Sequence, residues 1–282
     1  MLIDGKTIAD QILATLSNDV LTLKMRGITP TLAVILVGDD PASLAYIKQK
    51  QKAAAAIGVN VVFSHQSSVI RKDDLKKIVL QYNNDPNIHG IIIQRPIPKE
   101  VGDTQDIVNL VNPHKDIDGF LQNSPHEVPV ALAVGEILKI IHSNTKIKKS
   151  FIDWLRSKNI VVIGKGETAG TPILHYFKKL NCTTSPINSS TPTPKNILIS
   201  GDIIISCVGK KQVVTPDAIK PGAILISVGI WRDAAGKLHG DYNEAEIAET
   251  TSCYTPTPGG VGPVNVACLM QNVIFATQQL HL

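Results

Sequence analysis

Residues 31–58 read TLAVILVGDDPASLAYIKQKQKAAAAIG and predict a strand followed directly by a helix. The run TLAVILV is continuously apolar, which is typical of a parallel strand covered on both faces. Asp40 can cap the helix, Pro41 suits its first position and Gly58 suits its end. The stretch therefore predicts an α/β fold built around a buried parallel strand.

Strands and helices keep alternating after this stretch. VNVVFSHQ and HGIIIQRPIP are predicted strands, and the amphipathic segment RKDDLKKIVLQYNND between them is a predicted helix. TQDIVNLV is a short predicted helix. A β-α-β-α-β series predicts a parallel sheet with helices on both faces.

A second series of elements begins after a turn-rich boundary around residues 119–128. The helix ALAVGEILKIIHSN comes first, and KNIVVIG (158–164), CTTSPIN, GDIIISCVG and AILISVGI are predicted strands. This order predicts a second open parallel sheet. The expected fold class is α/β with two open parallel-sheet lobes, the C-terminal one Rossmann-like. The predicted domains are 1–120, joined by a C-terminal helix at about 263–282, and 121–262.

The segment IVVIGKGETAGTPILHYF indicates a nucleotide loop between a strand and a helix. Its glycines are Gly164, Gly166 and Gly170, with one residue more than the usual fingerprint spacing. Glycine is needed where backbone must turn sharply and approach a pyrophosphate at a helix N-terminus. A plain tight turn between strand and helix is the alternative reading of the same glycines.

The segment after the second strand of this lobe favours NADP over NAD. An NAD site usually places a carboxylate there to accept from the ribose hydroxyl. The stretch SPINSSTPTPK has no acid; Ser189, Ser190 and Thr191 offer hydroxyls and Lys165 offers a cation. Glu167 opposes this interpretation, because a carboxylate near phosphates weakens binding unless it points away. NAD therefore stays possible.

Composition narrows the function classes. The 282 residues carry a net charge of +4 with no basic block, so nucleic acid is not an expected partner. No apolar run is long enough to span a bilayer, and MLIDGKTIAD lacks the apolar region of a secretory signal. The four cysteines are dispersed, and no histidine or cysteine cluster indicates a metal. A cytoplasmic protein with reduced thiols is expected.

Four motifs together resemble one enzyme family. VGDDPASLAYIKQKQKA, GIIIQRPIP, HKDIDGF and TPTPGGVGPVN are similar to segments of the bifunctional methylenetetrahydrofolate dehydrogenase/methenyltetrahydrofolate cyclohydrolase family. The resemblance covers nearly the whole chain, and PGGVGP is uncommon outside this family. It implies a folate cleft between the lobes and NADP on the C-terminal lobe. It also implies oxidation of 5,10-methylenetetrahydrofolate with NADP⁺, hydrolysis of the product to 10-formyltetrahydrofolate, and a homodimer.

The resemblance implies roles for individual residues. Lys50 would be the catalytic lysine, Gln94 its partner, Tyr46 the ring beside the folate and Asp118 the acid that anchors the pterin. A lysine beside a cationic ligand can act as base and then acid, and an amide can hold a neutral or charged amine. The remaining substrate-binding candidates are Ile93, Arg95, Pro258, Gly259, Gly260, Val261 and Gly262. The cofactor-binding candidates are Gly164, Lys165, Gly166, Thr168, Gly170, Pro172, Ser189, Thr191, Val208, Gly209, Gly229 and Ile230.

The chain departs from the family pattern mostly on the cofactor side. Lys165 replaces an arginine and loses its bidentate fork, and Gly166 replaces a serine. Ser227 replaces the aspartate of I-D-V-G-I-N, and Arg95 replaces a leucine on the folate side. Two alternatives therefore remain: an enzyme with one of the two activities, or a nucleotide- or folate-binding protein without catalysis.

Helical spacing groups three residues of the first motif. Ser43, Tyr46 and Lys50 fall at i, i+3 and i+7 and share one face. Leu44 and Ala55 lie opposite and are expected to pack on the sheet.

Overall fold

The structure is a computed structural model that describes residues 1–281. Its helices are α1 (Gly5–Met25), α2 (Pro41–Ile57), α3 (Lys72–Asn84), α4 (Gln105–Val108), α5 (Pro129–Ser143), α6 (Phe151–Arg156), α7 (Gly170–Lys179), α8 (Pro194–Ser200), α9 (Glu244–Ile247) and α10 (Val261–Leu280). Its strands are β1 (Thr31–Val37), β2 (Asn60–Gln66), β3 (Gly90–Ile93), β4 (Asn159–Ile163), β5 (Thr183–Ile187), β6 (Ile203–Ser206), β7 (Ile224–Ser227), β8 (Trp231–Arg232), β9 (Leu238–His239) and β10 (Cys253–Tyr254). Short 3₁₀ helices lie at Lys99–Val101, Pro113–Lys115 and Pro216–Ala218.

The chain forms two compact units. The N-terminal unit consists of Asp10–Pro129 and Val266–Leu282, and the C-terminal unit consists of Met1–Ala9 and Val130–Asn265. The first residues join the C-terminal unit because Ile3 N donates to Tyr254 O and Tyr254 N donates to Met1 O, at 2.8 and 3.0 Å. The functional domains 1–120 and 121–262 remain a prediction.

The N-terminal unit contains a parallel sheet in the order β2-β1-β3. All seven residues of the central strand β1 are buried, as its apolar run predicts. Leu32, Val34 and Leu36 belong to the core cluster that includes residues of α2 and α10. Ala33, Ile35 and Val37 belong to a second cluster with Leu75 and Val79 of α3. Alternate side chains of one strand thus supply the cores on both faces of the sheet.

Helix α2 has the ends that its sequence predicts. The Asp40 carboxylate accepts from Ser43 N at 2.7 Å, Pro41 is the first residue, and Gly58 ends the helix at φ 81°. Such a cap stabilises a helix by about 1 kcal/mol. The expected packing face was partly wrong: Ser43 is buried and Ala55 is exposed, while Ala53 and Ala54 are the buried alanines. The run of four alanines gave no periodicity by which to choose among them.

The C-terminal unit contains a parallel sheet in the order β10-β7-β6-β4-β5. Strand β4 pairs with β5 on one side and β6 on the other, so the chain changes direction across the sheet at β4. In open sheets of this kind, ligands bind where the loops after such strands separate. The predicted α/β class with parallel sheets is therefore confirmed.

Residues 1–281 contain neither a membrane-crossing helix nor a cluster of metal ligands. No helix in this range is both long enough and apolar enough to cross a membrane. No group of three or more histidine, cysteine, aspartate or glutamate side chains in the same range could hold a metal ion. The four cysteines are all free thiols.

Candidate functional site

Lys50 and Gln94 meet in the N-terminal unit. Helix α2 carries Lys50, and Gln94 directly follows strand β3, where its backbone N–H donates to Ile35 O at 2.8 Å. Lys50 Nζ donates to Gln94 Oε1 at 3.0 Å. Gln94 Nε2 donates to the carbonyl oxygen of Arg95, also at 3.0 Å. The second bond turns the amide so that its oxygen faces the lysine, which leaves the amine pre-positioned.

Tyr46 lies one helical turn before Lys50, and 39% of its surface is exposed. The ring and the amine therefore project from neighbouring turns of the same helix. Ser43, one turn further back, is buried and donates from its hydroxyl to Arg95 O at 3.4 Å. The sequence predicted that these three residues share one face of the helix. Ser43, however, packs in the interior, and its backbone N–H donates to the Asp40 cap.

The HKDIDGF segment forms a tight loop that buries two of its charged residues. Lys115 Nζ donates to the carbonyl oxygens of Tyr82, Asn83 and Asp85 at 3.1, 2.8 and 2.7 Å. Burial lowers the pKa of Lys115. The lysine of this motif therefore ties the loop to the end of α3.

Asp116 is the second buried charge of this loop. Its Oδ2 accepts from Leu121 N at 2.9 Å, and burial, together with the charge of Asp118, raises its pKa to about 6. Gly119 follows at φ 70°, where an added Cβ would lie 2.7 Å from His126 O, so a side chain at this position would collide with backbone. This packing leaves Asp118 half-buried at the loop surface.

A shallow pocket adjoins this loop. It lies beside the end of β3, and its lining includes Ile91, Ile93, Arg95, Asp116, Asp118 and Phe120. The Arg95 guanidinium lies 5.2 Å from the centroid of the Phe120 ring, an arrangement that holds a cation against an aromatic face. The pocket combines apolar walls with two carboxyl groups, which suits a flat ligand with hydrogen-bond donors on one edge.

The PGGVGP segment precedes and begins α10. Gly259 has φ 103°, and a Cβ on Gly260 would overlap the carbonyl oxygen of Pro256. The two glycines are therefore required by the backbone itself. Pro258, Gly259, Gly260, Val261 and Gly262 belong to the C-terminal unit, whereas Tyr46, Lys50, Ile93, Gln94, Arg95 and Asp118 belong to the N-terminal unit.

The glycine loop joins β4 to α7 in the C-terminal unit. Gly164 has φ 94°, and a Cβ on Gly170 would overlap its carbonyl oxygen, so these two glycines are needed for the turn. Gly166 differs, because nothing lies within 4 Å of where its Cβ would be. Lys165 and Thr168 are exposed on the loop, and Pro172 is buried in the first turn of α7. Gly166 thus leaves the open approach that a phosphate needs.

The turn after β5 is held by Asn188. Its Oδ1 accepts from Ser190 N at 3.0 Å and from the hydroxyls of Ser190 and Thr191 at 2.8 and 3.1 Å. Ser189 is exposed at the tip of this turn. Residues 188–193 read NSSTPT and contain no carboxylate. Hydroxyls without an acid, together with the Lys165 cation, fit the 2′-phosphate of NADP better than a free ribose hydroxyl.

The remaining cofactor-binding candidates lie after β6 and β7. Val208 and Gly209 follow β6, and Gly229 and Ile230 follow β7. The fully buried carboxylate of Asp241 accepts from Val208 N at 2.9 Å and lies against Gly229, where an added Cβ would overlap its Oδ2. Sequence reasoning missed Asp241, because an aspartate in the loop segment HGDY carries no signal of distant partners.

Comparisons with known proteins cover both units. The family described as tetrahydrofolate dehydrogenase/cyclohydrolase matches through its catalytic domain at residues 3–118 and its NAD(P)-binding domain at residues 137–281. The "Bifunctional protein FolD" of Albidiferax ferrireducens is 37% identical over 278 residues, covering 99% of this chain and 96% of the relative.

Two solved structures are also similar. The bifunctional FolD enzyme of Campylobacter jejuni has a TM-score of 0.92 at 31% identity, with 99% of each chain covered. The enzyme of Trypanosoma brucei, solved with NADP cofactor and an inhibitor, has a TM-score of 0.89 at 29% identity, covering 99% of this chain and 97% of that one.

Proposed function

The chain belongs to the tetrahydrofolate dehydrogenase/cyclohydrolase family, and from this premise we propose which residues carry its chemistry. The protein oxidises 5,10-methylenetetrahydrofolate to 5,10-methenyltetrahydrofolate with NADP⁺ and hydrolyses that product to 10-formyltetrahydrofolate. The observation that supports the assignment of residues is the 3.0 Å hydrogen bond from Lys50 Nζ to Gln94 Oε1.

Hydrolysis requires a group that moves protons. Water adds to the bridging carbon of the methenyl cation, and Lys50 in its neutral form takes a proton from that water. The bond between this carbon and N5 then breaks, the carbon becomes the formyl group on N10, and N5 receives a proton. One proton of the water ends on N5 and the other is released to solvent. Gln94 keeps the amine in position in both of its protonation states, because its oxygen accepts from either.

Two further residues position the folate. The exposed Tyr46 ring offers a flat apolar face for the pterin, one turn from Lys50. Asp118 is half-buried in the pocket lining and can accept hydrogen bonds from the amino-pyrimidine edge. Ile93 and Arg95 line the same pocket. Pro258, Gly259, Gly260, Val261 and Gly262 are proposed as further substrate contacts from the family motif.

NADP, when bound, supplies the acceptor for the hydride. The chain's own residues orient and hold it. The glycine loop with Lys165, Thr168 and Pro172 is proposed to receive the pyrophosphate at the N-terminus of α7. Ser189 and Thr191 are proposed to receive the 2′-phosphate. Use of NAD⁺ is the remaining alternative, motivated by Lys165, whose ammonium lacks the bidentate fork of the family arginine.

We further propose the domain roles, assembly and location of the protein. Residues 1–120 with the C-terminal helix would bind folate and residues 121–262 would bind NADP. A homodimer is expected by resemblance to the family and is tested by light scattering. The free cysteines support a cytoplasmic location. The low net charge of +4 supports small-molecule ligands over nucleic acid.

Two assays on the purified protein test the proposal. The first follows NADPH formed from methylenetetrahydrofolate, with NAD⁺ as a parallel substrate. The second follows the loss of methenyltetrahydrofolate. Turnover in both supports the bifunctional assignment, and turnover in only one supports a monofunctional enzyme. Binding of folate and NADP⁺ without any turnover would contradict catalysis altogether.

A further inference from the structure

Asp241 carries a fully buried carboxylate that contacts two of the predicted cofactor residues, Val208 after β6 and Gly229 after β7. We propose that Asp241 is a positioning residue of the cofactor site, which holds the segment Val208–Lys210 and Gly229 in the conformation that receives NADP. The inference rests on the proposed function, because it assumes that this edge of the sheet binds the cofactor.

Three donors converge on this carboxylate. Ser206 Oγ donates to Oδ2 at 2.6 Å, and Val208 N donates to the same oxygen at 2.9 Å. Lys210 N donates to Oδ1 at 2.9 Å. An ionised carboxyl group only accepts, so it satisfies all three donors at once, whereas an amide must turn its NH₂ toward at least one of them. The two backbone bonds fix the loop on both sides of Gly209.

The close packing of Gly209 and Gly229 also connects the loops after β6 and β7 to Asp241. A Cβ on Gly229 would overlap both Asp241 Oδ2 and Gly209 N. Gly209 has φ 71°, and its own Cβ would lie 2.9 Å from Ile230 O. The loops after β6 and β7 therefore touch through backbone atoms, with Asp241 against both. A shift of this carboxylate must move residues that are proposed to contact the cofactor.

Ser227 ties Asp241 to β7. Its Oγ accepts from Asp241 N at 2.9 Å and donates to Gly229 O at 3.1 Å. Ser227 is itself buried, so its neutral hydroxyl joins Asp241 to Gly229 within the core of this edge of the sheet.

Calorimetric titration with NADP⁺ tests the inference directly. Asp241→Asn keeps the shape but faces at least one backbone N–H with an NH₂ group, so the Kd for NADP⁺ should rise by about tenfold or more. Ser206→Ala removes one donor and leaves both backbone bonds, so its Kd should rise less. Asp217→Asn is the control, because Asp217 is an exposed aspartate that pairs with Lys195, and its Kd should stay within about twofold of the wild type.

The kinetic readouts separate positioning from general damage. For Asp241→Asn, KM for NADP⁺ should rise while KM for the folate and the rate of methenyltetrahydrofolate hydrolysis stay near wild type. An unchanged Kd in Asp241→Asn, or an equal loss of hydrolysis and NADP⁺ binding, would overturn the inference. If Asp241→Asn does not fold, Ser206→Ala decides, and an unchanged Kd in that variant overturns it. Wild-type protein that binds NADP⁺ without turnover would refute the proposed function and leave this inference standing.

Discussion

The amine of Lys50 donates to the side-chain oxygen of Gln94 at 3.0 Å, and the other end of that amide is held by the carbonyl oxygen of Arg95. The lysine comes from a helix and the glutamine from the end of a neighbouring strand, 44 positions away in sequence.

Gln94→Glu should convert this neutral contact into an ion pair. A carboxylate favours the ammonium form of Lys50, so less free amine is available to take a proton from water. Hydrolysis of methenyltetrahydrofolate at pH 7 should fall by about tenfold or more, and its pH–rate profile should move to higher pH. Gln105→Glu is the matched control, because Gln105 is exposed in α4 and its side chain bonds only a neighbouring turn. A pH–rate profile for Gln94→Glu that coincides with the wild type would refute the role of Gln94.

Asp116 should make stability depend on pH. Its pKa is raised from 3.8 to about 6, chiefly by burial, so ionising it costs more in the folded protein than in the unfolded chain. Both states are protonated below about pH 4 and both are ionised above about pH 6. The contribution of Asp116 to the free energy of unfolding should therefore fall by about 3 kcal/mol as the pH rises through this window.

Urea unfolding of Asp116→Asn and wild type at pH 4 and pH 7 measures this effect. The variant should gain stability relative to wild type between the two pH values, because it has no proton to lose. Asp217→Asn is the control. A hydrogen bond from Lys195 lowers the pKa of Asp217 to about 2, so this carboxyl group is ionised at both pH values. The stability of Asp217→Asn relative to wild type should therefore be the same at pH 4 and pH 7. A difference between Asp116→Asn and wild type that does not change with pH would show that Asp116 titrates normally.

Gly166 and Gly170 should respond differently to alanine. Gly170→Ala places a methyl group into the carbonyl oxygen of Gly164 and should lower the free energy of unfolding by about 2 kcal/mol or more. Gly166→Ala meets nothing within 4 Å, so stability should change by less than about 1 kcal/mol. Its Kd for NADP⁺ should nevertheless rise by about tenfold, since the methyl group occupies the proposed approach of the phosphates. Unaltered NADP⁺ binding in a stable Gly166→Ala would mean that this glycine does not face the cofactor.

The sequence predicted best those features that depend on neighbouring residues. Asp40, Pro41 and Gly58 mark the ends of α2 because caps act within one turn. The apolar runs of β1 and β4 predicted buried parallel strands for the same reason. Helix α1 was missed, although it is 21 residues long. A start signal was present, because Asp4 directly precedes the helix and accepts from Lys6 N at 3.0 Å, as an N-cap aspartate does.

Features that depend on distant contacts were not predictable. Strands β8 and β9 have two residues each, too few for periodicity to indicate them. Nothing in the sequence assigned Lys115 a structural role. Only the structure shows that its amine donates to three backbone carbonyl oxygens at the end of α3. Asp241 lies 35 positions from Ser206, and no local pattern connects them. Motif resemblance proposed the site residues, and the fold shows which neighbouring residues, such as Lys115 and Asp241, hold the loops that carry them.

Lys50 is proposed to transfer protons during hydrolysis. The most direct test is the rate of methenyltetrahydrofolate hydrolysis by Lys50→Met, compared with Lys52→Met, an exposed lysine on the same helix. Lys50→Met should lose at least about 100-fold in rate while NADP⁺ reduction is affected less, because hydride transfer needs no proton shuttle. Lys52→Met should match the wild type. Hydrolysis by Lys50→Met at the rate of Lys52→Met would contradict the account.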